Sequence, residues 1–156
     1  TAGAIVEPAR ADRDQVIAAG IMALPSLHPE TGPFPGLQFG WTIPPANAAE
    51  RSAAAAYYVA LVVAECLALI GAKGPIHVEG PFGGNRCFAE MLATATGRNV
   101  IGRGQSAGTG LGAALLVAPL AGTKTTVDPV QPQPRMQAYA DAWRAKVATA
   151  WTAQAR

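Results

Sequence analysis

Residues 75–101 read PIHVEGPFGGNRCFAEMLATATGRNVI. Ile76 and Val78 flank His77, which predicts a short strand over Pro75–Glu79. Gly80 to Gly84 is a tight glycine-rich loop, and Asn85 to Thr96 carries helical periodicity up to Gly97. Asn99 to Ile101 is a second short strand. A strand that passes through a glycine turn into a helix and on to another strand defines an α/β protein with parallel strands. In such sheets ligands sit at the carboxyl ends of the strands. Glycines there let backbone approach a ligand, and the following helix offers free N–H groups. Asn85 either caps that helix or presents its amide to an adenine edge, since it both donates and accepts.

The pattern extends outward from this unit. Upstream, Ala4 to Pro8 reads as a strand and Arg13 to Leu24 as a helix, with Asp12 as its N-cap and Pro25 as its stop. Pro25 to Pro45 is a long loop crowded with proline and glycine, of a length that suggests function or a domain contact. Asn47 caps a long helix from about Ala48 to Ile70, ended by Gly71. Downstream, Gly108 to Leu120 is a helix of small residues, and residues 122–134 form a linker rich in Thr, Pro and Gln. A terminal helix from Arg135 to about Ala153 places Met136, Tyr139, Ala140, Trp143, Val147 and Trp151 on one stripe. Three short strands make a thin sheet, so the chain reads as a piece of a longer protein, with processing of a leader as the alternative.

Composition narrows the classes. The 156 residues are 50% hydrophobic and 14% charged, so a packed core is expected and disorder is not. Net charge is +2, the basic residues are scattered and aromatics are 6%, which argues against a nucleic-acid partner. Ala53 to Ile70 approaches the length of a membrane span, but Glu65, Tyr57 and Tyr58 interrupt it, and a buried helix is the reading. Cys66 and Cys87 have no metal-ligand spacing and read as two buried thiols of a reducing compartment, hence a cytoplasmic protein without a membrane partner.

Residues 78–100 resemble the adenosine-binding segment of FGGY carbohydrate kinases, whose pattern runs V-T-G-G-G-A-K-N and then an amphipathic helix ending A-D-x-x-G-R-P-V. Residues 106–118, SAGTGLGAALLVA, resemble the small-residue helix that follows in that family. The Tyr139/Trp143 helix is similar to its C-terminal end. Residues 24–32 resemble its P-Y-L-x-G-E-R segment more loosely, and Arg51 matches the Arg that opens its long helix. The resemblance implies an actin-like, ribonuclease-H-like fold with two domains around a cleft. It implies ATP and Mg²⁺ as cofactors, with transfer of a phosphoryl group to a hydroxyl of a ketose or polyol. Residues 1–156 would be the C-terminal part of the second domain, and their partners a missing N-terminal domain, ATP or ADP and the sugar. That missing domain would hold the catalytic aspartate, most sugar contacts and most of the metal site, so the chain alone is expected to be inactive. A homo-oligomer is compatible with this reading.

Carried over by position, Gly80 and Pro81 match the glycine pair beneath ribose and phosphates, and Asn85 matches the asparagine beside the adenine. Pro81 departs from the pattern, because proline has no N–H to offer a phosphate. Ala55 and Ala56 replace the Glu-Gly that follows the helix Arg.

The other candidates carry less. Gly108, Gly110 and Ala113 fit a dinucleotide fingerprint with Asp128 downstream, but Gly108 does not directly follow a strand and Asp128 lies in the linker. His77 reads as a strand histidine, and His28 and Glu30 as solvated loop residues. Glu79 ends its strand near the nucleotide site and is a weaker candidate for a ribose contact. Ser106 and Thr109 have no partner base. A non-catalytic homologue or interaction domain of the same fold is the alternative to a kinase.

Overall fold

The computed structural model describes residues 7–30, 32–103, 113, 116–117 and 128–154. Helix α1 spans Arg10–Ala19, β1 Ala23–Leu24, β2 Gly40–Trp41 and α2 Ala48–Leu69. Strand β3 covers Ile76–Val78, a 3₁₀ turn Gly80–Phe82, α3 Arg86–Thr96, β4 Val100–Gly102 and α4 Pro134–Gln154. Strands β3 and β4 pair in parallel, Ile76 opposite Val100 and Val78 opposite Gly102. Val130 forms an antiparallel bridge to Val100, so the end of the expected linker extends this sheet by one residue.

Helix α2 is the centre of the molecule, packed against α1 and α3. Its buried positions include Ala53, Ala54, Ala60 and Ala64, and such small side chains let neighbouring helices come close. Tyr57 and Leu61 fill the space between them. This helix is long and apolar enough to cross a membrane, and its Tyr57, Tyr58 and Leu61 lie in the protein core. Helix α4 packs on α3 and β1. Its stripe of Met136, Tyr139, Ala140, Trp143 and Val147 is buried as the spacing predicts. Tyr139 donates its hydroxyl to Ile21 O at 2.7 Å, and Trp143 donates Nε1–H to Ala23 O at 2.8 Å. Trp151, on the same stripe, is exposed and touches only the edge of the Phe34 ring among the described aromatics.

Several expectations need correction. Asp12 is not the cap of α1. The helix starts at Arg10, and Asp12 reaches back from its first turn to accept the Ala9 N–H at 3.0 Å. The chain leaves α1 at Gly20 (φ 67°) rather than at Pro25. Residues 23–24, expected as helix, pair antiparallel with β2 inside the presumed loop. Thr42 fastens that pair, accepting the Met22 N–H at 2.8 Å and donating to Gly20 O at 2.7 Å. Cys66 is on the surface and only Cys87 is buried, because the last turns of α2 run past the helices that cover its start. Glu7 and Pro8 carry no regular structure, and the rest of the expected first strand lies outside the described residues, as do Ser106, Gly108, Thr109, Gly110, Gly112 and residues 122–127.

Candidate functional site: a cavity at the glycine-rich turn

Beyond β3 the backbone bends sharply. Gly80 has φ +75°, a conformation that residues with a Cβ adopt reluctantly. Pro81 follows as the second residue of the 3₁₀ turn, with its fixed φ. Gly83 N–H donates to Gly80 O at 2.9 Å, and Asn85 N–H to Phe82 O at 3.1 Å. The turn lies directly on β4: a Cβ on Gly83 would run into Arg103 O, and one on Gly102 into Gly83 O. Two glycines facing each other let the loop sit this low, and Arg103 N–H holds the strand end at Val78 O at 2.8 Å.

The turn and the start of α3 form one side of a cavity of about 580 Å³, within the size range of small-molecule sites. Pro81, Phe82, Gly84 and Asn85 contribute from this side, with Arg86 and Cys87. The first half of α2 faces them with Arg51, Ser52, Ala55, Ala56 and Val59. Ala55, where the resembled family has Glu, puts only a methyl group into this space. Glu7 and Pro8 close one end.

Of the predicted site residues, Pro81 and Asn85 line the cavity, and Gly80 lies one residue before it. Asn85 fills the capping role. Its Oδ1 caps α3 by accepting the Phe88 N–H at 3.0 Å, which leaves the Nδ2 hydrogens to donate to a ligand. Glu79 is outside the cavity lining and faces Arg103 at 3.8 Å. His77, His28 and Glu30 are exposed and do not line it. Sequence reasoning missed Phe82 and Ser52 as lining residues, since only the packing of α2 against α3 brings these two walls together.

The lining carries two guanidinium groups and one carboxylate. Arg86 is held by Glu90 at 2.7 Å, whereas Arg51 makes no ion pair among the described residues. Burial pushes the Cys87 thiol up, so it stays protonated at neutral pH and offers no thiolate nucleophile. The lining is thus mostly apolar, with its charged groups at Arg51, Arg86 and Glu7. Among the described residues no group of three His, Cys, Asp or Glu could hold a metal ion.

A parallel strand pair with a cavity beside the turn that follows it, flanked by packed helices, is an α/β architecture shared with actin-like ATPases. Two solved kinases share it. A carbohydrate kinase from Novosphingobium aromaticivorans superposes with a TM-score of 0.75 at 31% identity, over 89% of this chain and 30% of that one. A xylulose kinase from Rhodospirillum rubrum superposes with a TM-score of 0.58 at 18% identity, over 94% of this chain and 34% of that one. The carbohydrate kinase FGGY, C-terminal domain family matches residues 2–150, and the chain belongs to that family. No curated protein matches it significantly. The chain spans about a third of the length of the two kinases.

Proposed function

We propose that this chain is the adenosine-binding part of an ATP-dependent sugar kinase, joined to a preceding domain that carries the acid–base and sugar-binding groups. The observation that carries the reading is the cavity between the Gly80–Asn85 turn and α2, in a chain of this family. ATP, when bound, supplies the phosphoryl group, and the acceptor is a hydroxyl of a ketose or polyol. The residues described above bind and orient the nucleotide. Asn85 donates to the base, Gly80 lets the backbone pass close beneath the ribose, and Pro81 offers no N–H, so recognition falls on the adenosine end more than on the phosphates. Two free cysteines, one of them on the surface, agree with a cytoplasmic setting.

Sugar-dependent ADP release by the protein with its preceding domain tests the reading. Asn85→Ala should raise the KM for ATP by about 5–30-fold, one hydrogen bond of about 1–2 kcal/mol, and leave kcat nearly unchanged, because the contact is equal in ground and transition states. A fall in kcat at unchanged KM would remove Asn85 from the nucleotide site. ATP turnover indifferent to every ketose and polyol tried would favour the non-catalytic homologue.

A further inference from the structure

Phe82 is 39% exposed although its turn is fixed by hydrogen bonds on both sides. Large apolar side chains exposed elsewhere among the described residues, such as Phe39, Ile43, Leu69 and Ile70, lie away from the cavity. Phe82 alone of these lines it. Its ring is backed by Phe88, with centroids 4.9 Å apart and planes tilted by 51°. Phe88 is itself buried in α3. The Phe82 ring therefore has a firm support behind it and an open side towards the cavity. The opposite wall, Ala55, Ala56 and Val59, is apolar and made of short side chains. Asn85, three residues on, supplies a hydrogen-bond donor at the same wall of the cavity. A flat aromatic ring, an apolar facing wall and one amide are what a planar heteroaromatic ligand needs.

We propose that Phe82 is the platform on which the adenine ring stacks, with α2 covering its other side. The proposal rests on the nucleotide-binding reading above. A purely structural Phe82 would serve only to shield Phe88 from water.

The test uses the protein with its preceding domain, ADP as the probe and inorganic tripolyphosphate as a probe without a base. Phe82→Leu keeps an apolar cover over Phe88 and removes the aromatic face. It should weaken ADP binding about tenfold, the scale of one base stack, and leave inhibition by tripolyphosphate unchanged. Phe82→Tyr should keep ADP affinity. In the unmodified protein, nuclear Overhauser contacts should connect the Phe82 ring protons with adenine H2 or H8. Phe82→Leu with full ADP affinity, or a wild-type ADP complex without those contacts, overturns the platform and leaves the nucleotide reading standing. A wild-type protein that binds neither ADP nor ATP overturns both. The wild-type spectra decide the matter even if Phe82→Leu does not fold.

Discussion

Helices α2 and α3 each begin on an asparagine. Asn47 Oδ1 accepts the Glu50 N–H at 2.9 Å, and Asn85 Oδ1 accepts the Phe88 N–H at 3.0 Å. Three residues into α2, Glu50 turns back and accepts the Ala46 N–H at 2.7 Å, so its carboxylate also faces the positive end of the helix. Three residues into α3 stands Phe88, and the first turn of α3 contains no acid. One helix start is therefore sealed by its own side chains. The other keeps its polarity available and lies against a cavity that Asn85, Arg86 and Cys87 help to line. The cap residue by itself does not mark a binding site. What distinguishes the helix start beside the cavity is the omission of the second half of the capping arrangement, together with the glycine turn that precedes it.

Both helix starts depend on the same scaffold, and the largest effect comes from removing its lock. Trp143 is almost fully buried, and its indole N–H reaches Ala23 O. Trp143→Ala should cost about 3–5 kcal/mol in urea unfolding, through lost burial and the cavity left behind. This loss should not distinguish α2 from α3. A change below about 1 kcal/mol would show that α4 is not what fixes β1 to the core.

A smaller effect should separate the two helices. Glu90 is buried in α3 and accepts from Arg13 of α1 at 3.1 Å and from Arg86 at 2.7 Å. Arg13 is largely buried too, and its Nε has no partner among the described residues. Glu90→Gln keeps the shape but strips the counter-charge from Arg13. The expected cost is about 2–3 kcal/mol, at the low end for a broken buried pair because Arg86 is open to water. Amide hydrogen exchange should rise at Arg86–Phe88 and stay unchanged at Ala48–Arg51. Equal acceleration at both starts would mean that Glu90 supports the whole domain and not the cavity side of α3.

The contrast between the helices also bears on what the sequence reveals. Asn47 and Asn85 were readable as caps, and the 3–4 residue spacing of α4 gave its buried stripe, because both signals are local. Strands β1 and β2 were not readable. They are two residues long, and Ala23 is held by Trp143 from far along the chain. Asp12 misled for a related reason: an acid at a cap and an acid three residues further on both accept from unpaired N–H groups of a helix start, the first from inside the helix and the second from the cap residue, and the sequence alone does not separate them. At the cavity, the glycine turn of residues 80–84 and the cap at Asn85 could be read directly. The facing wall could not, since Ala55, Ala56 and Val59 look like any core helix until α2 packs beside α3. The exposure of Cys66 was hidden likewise, because an apolar helix does not announce where its neighbours stop.

The smallest stability change gives the sharpest separation. Aspartate caps a helix about as well as asparagine. Asn47→Asp and Asn85→Asp should therefore each alter unfolding free energy by no more than about 0.5 kcal/mol, with the added charge favoured at a helix start. Ligand binding should respond differently. At position 47 nothing changes for the nucleotide, since Asn47 does not line the cavity. At position 85, on the proposed nucleotide reading, the substitution removes the amide hydrogens and sets a carboxylate beside the base. ADP affinity, measured by calorimetry on the protein with its preceding domain, should fall about 5–30-fold for Asn85→Asp, or about 1–2 kcal/mol, and stay level for Asn47→Asp. Equal affinities in the two variants would reduce Asn85 to a cap like Asn47. A loss of stability at position 85 without a loss of affinity would do the same, because a capping Oδ1 would then be its whole contribution.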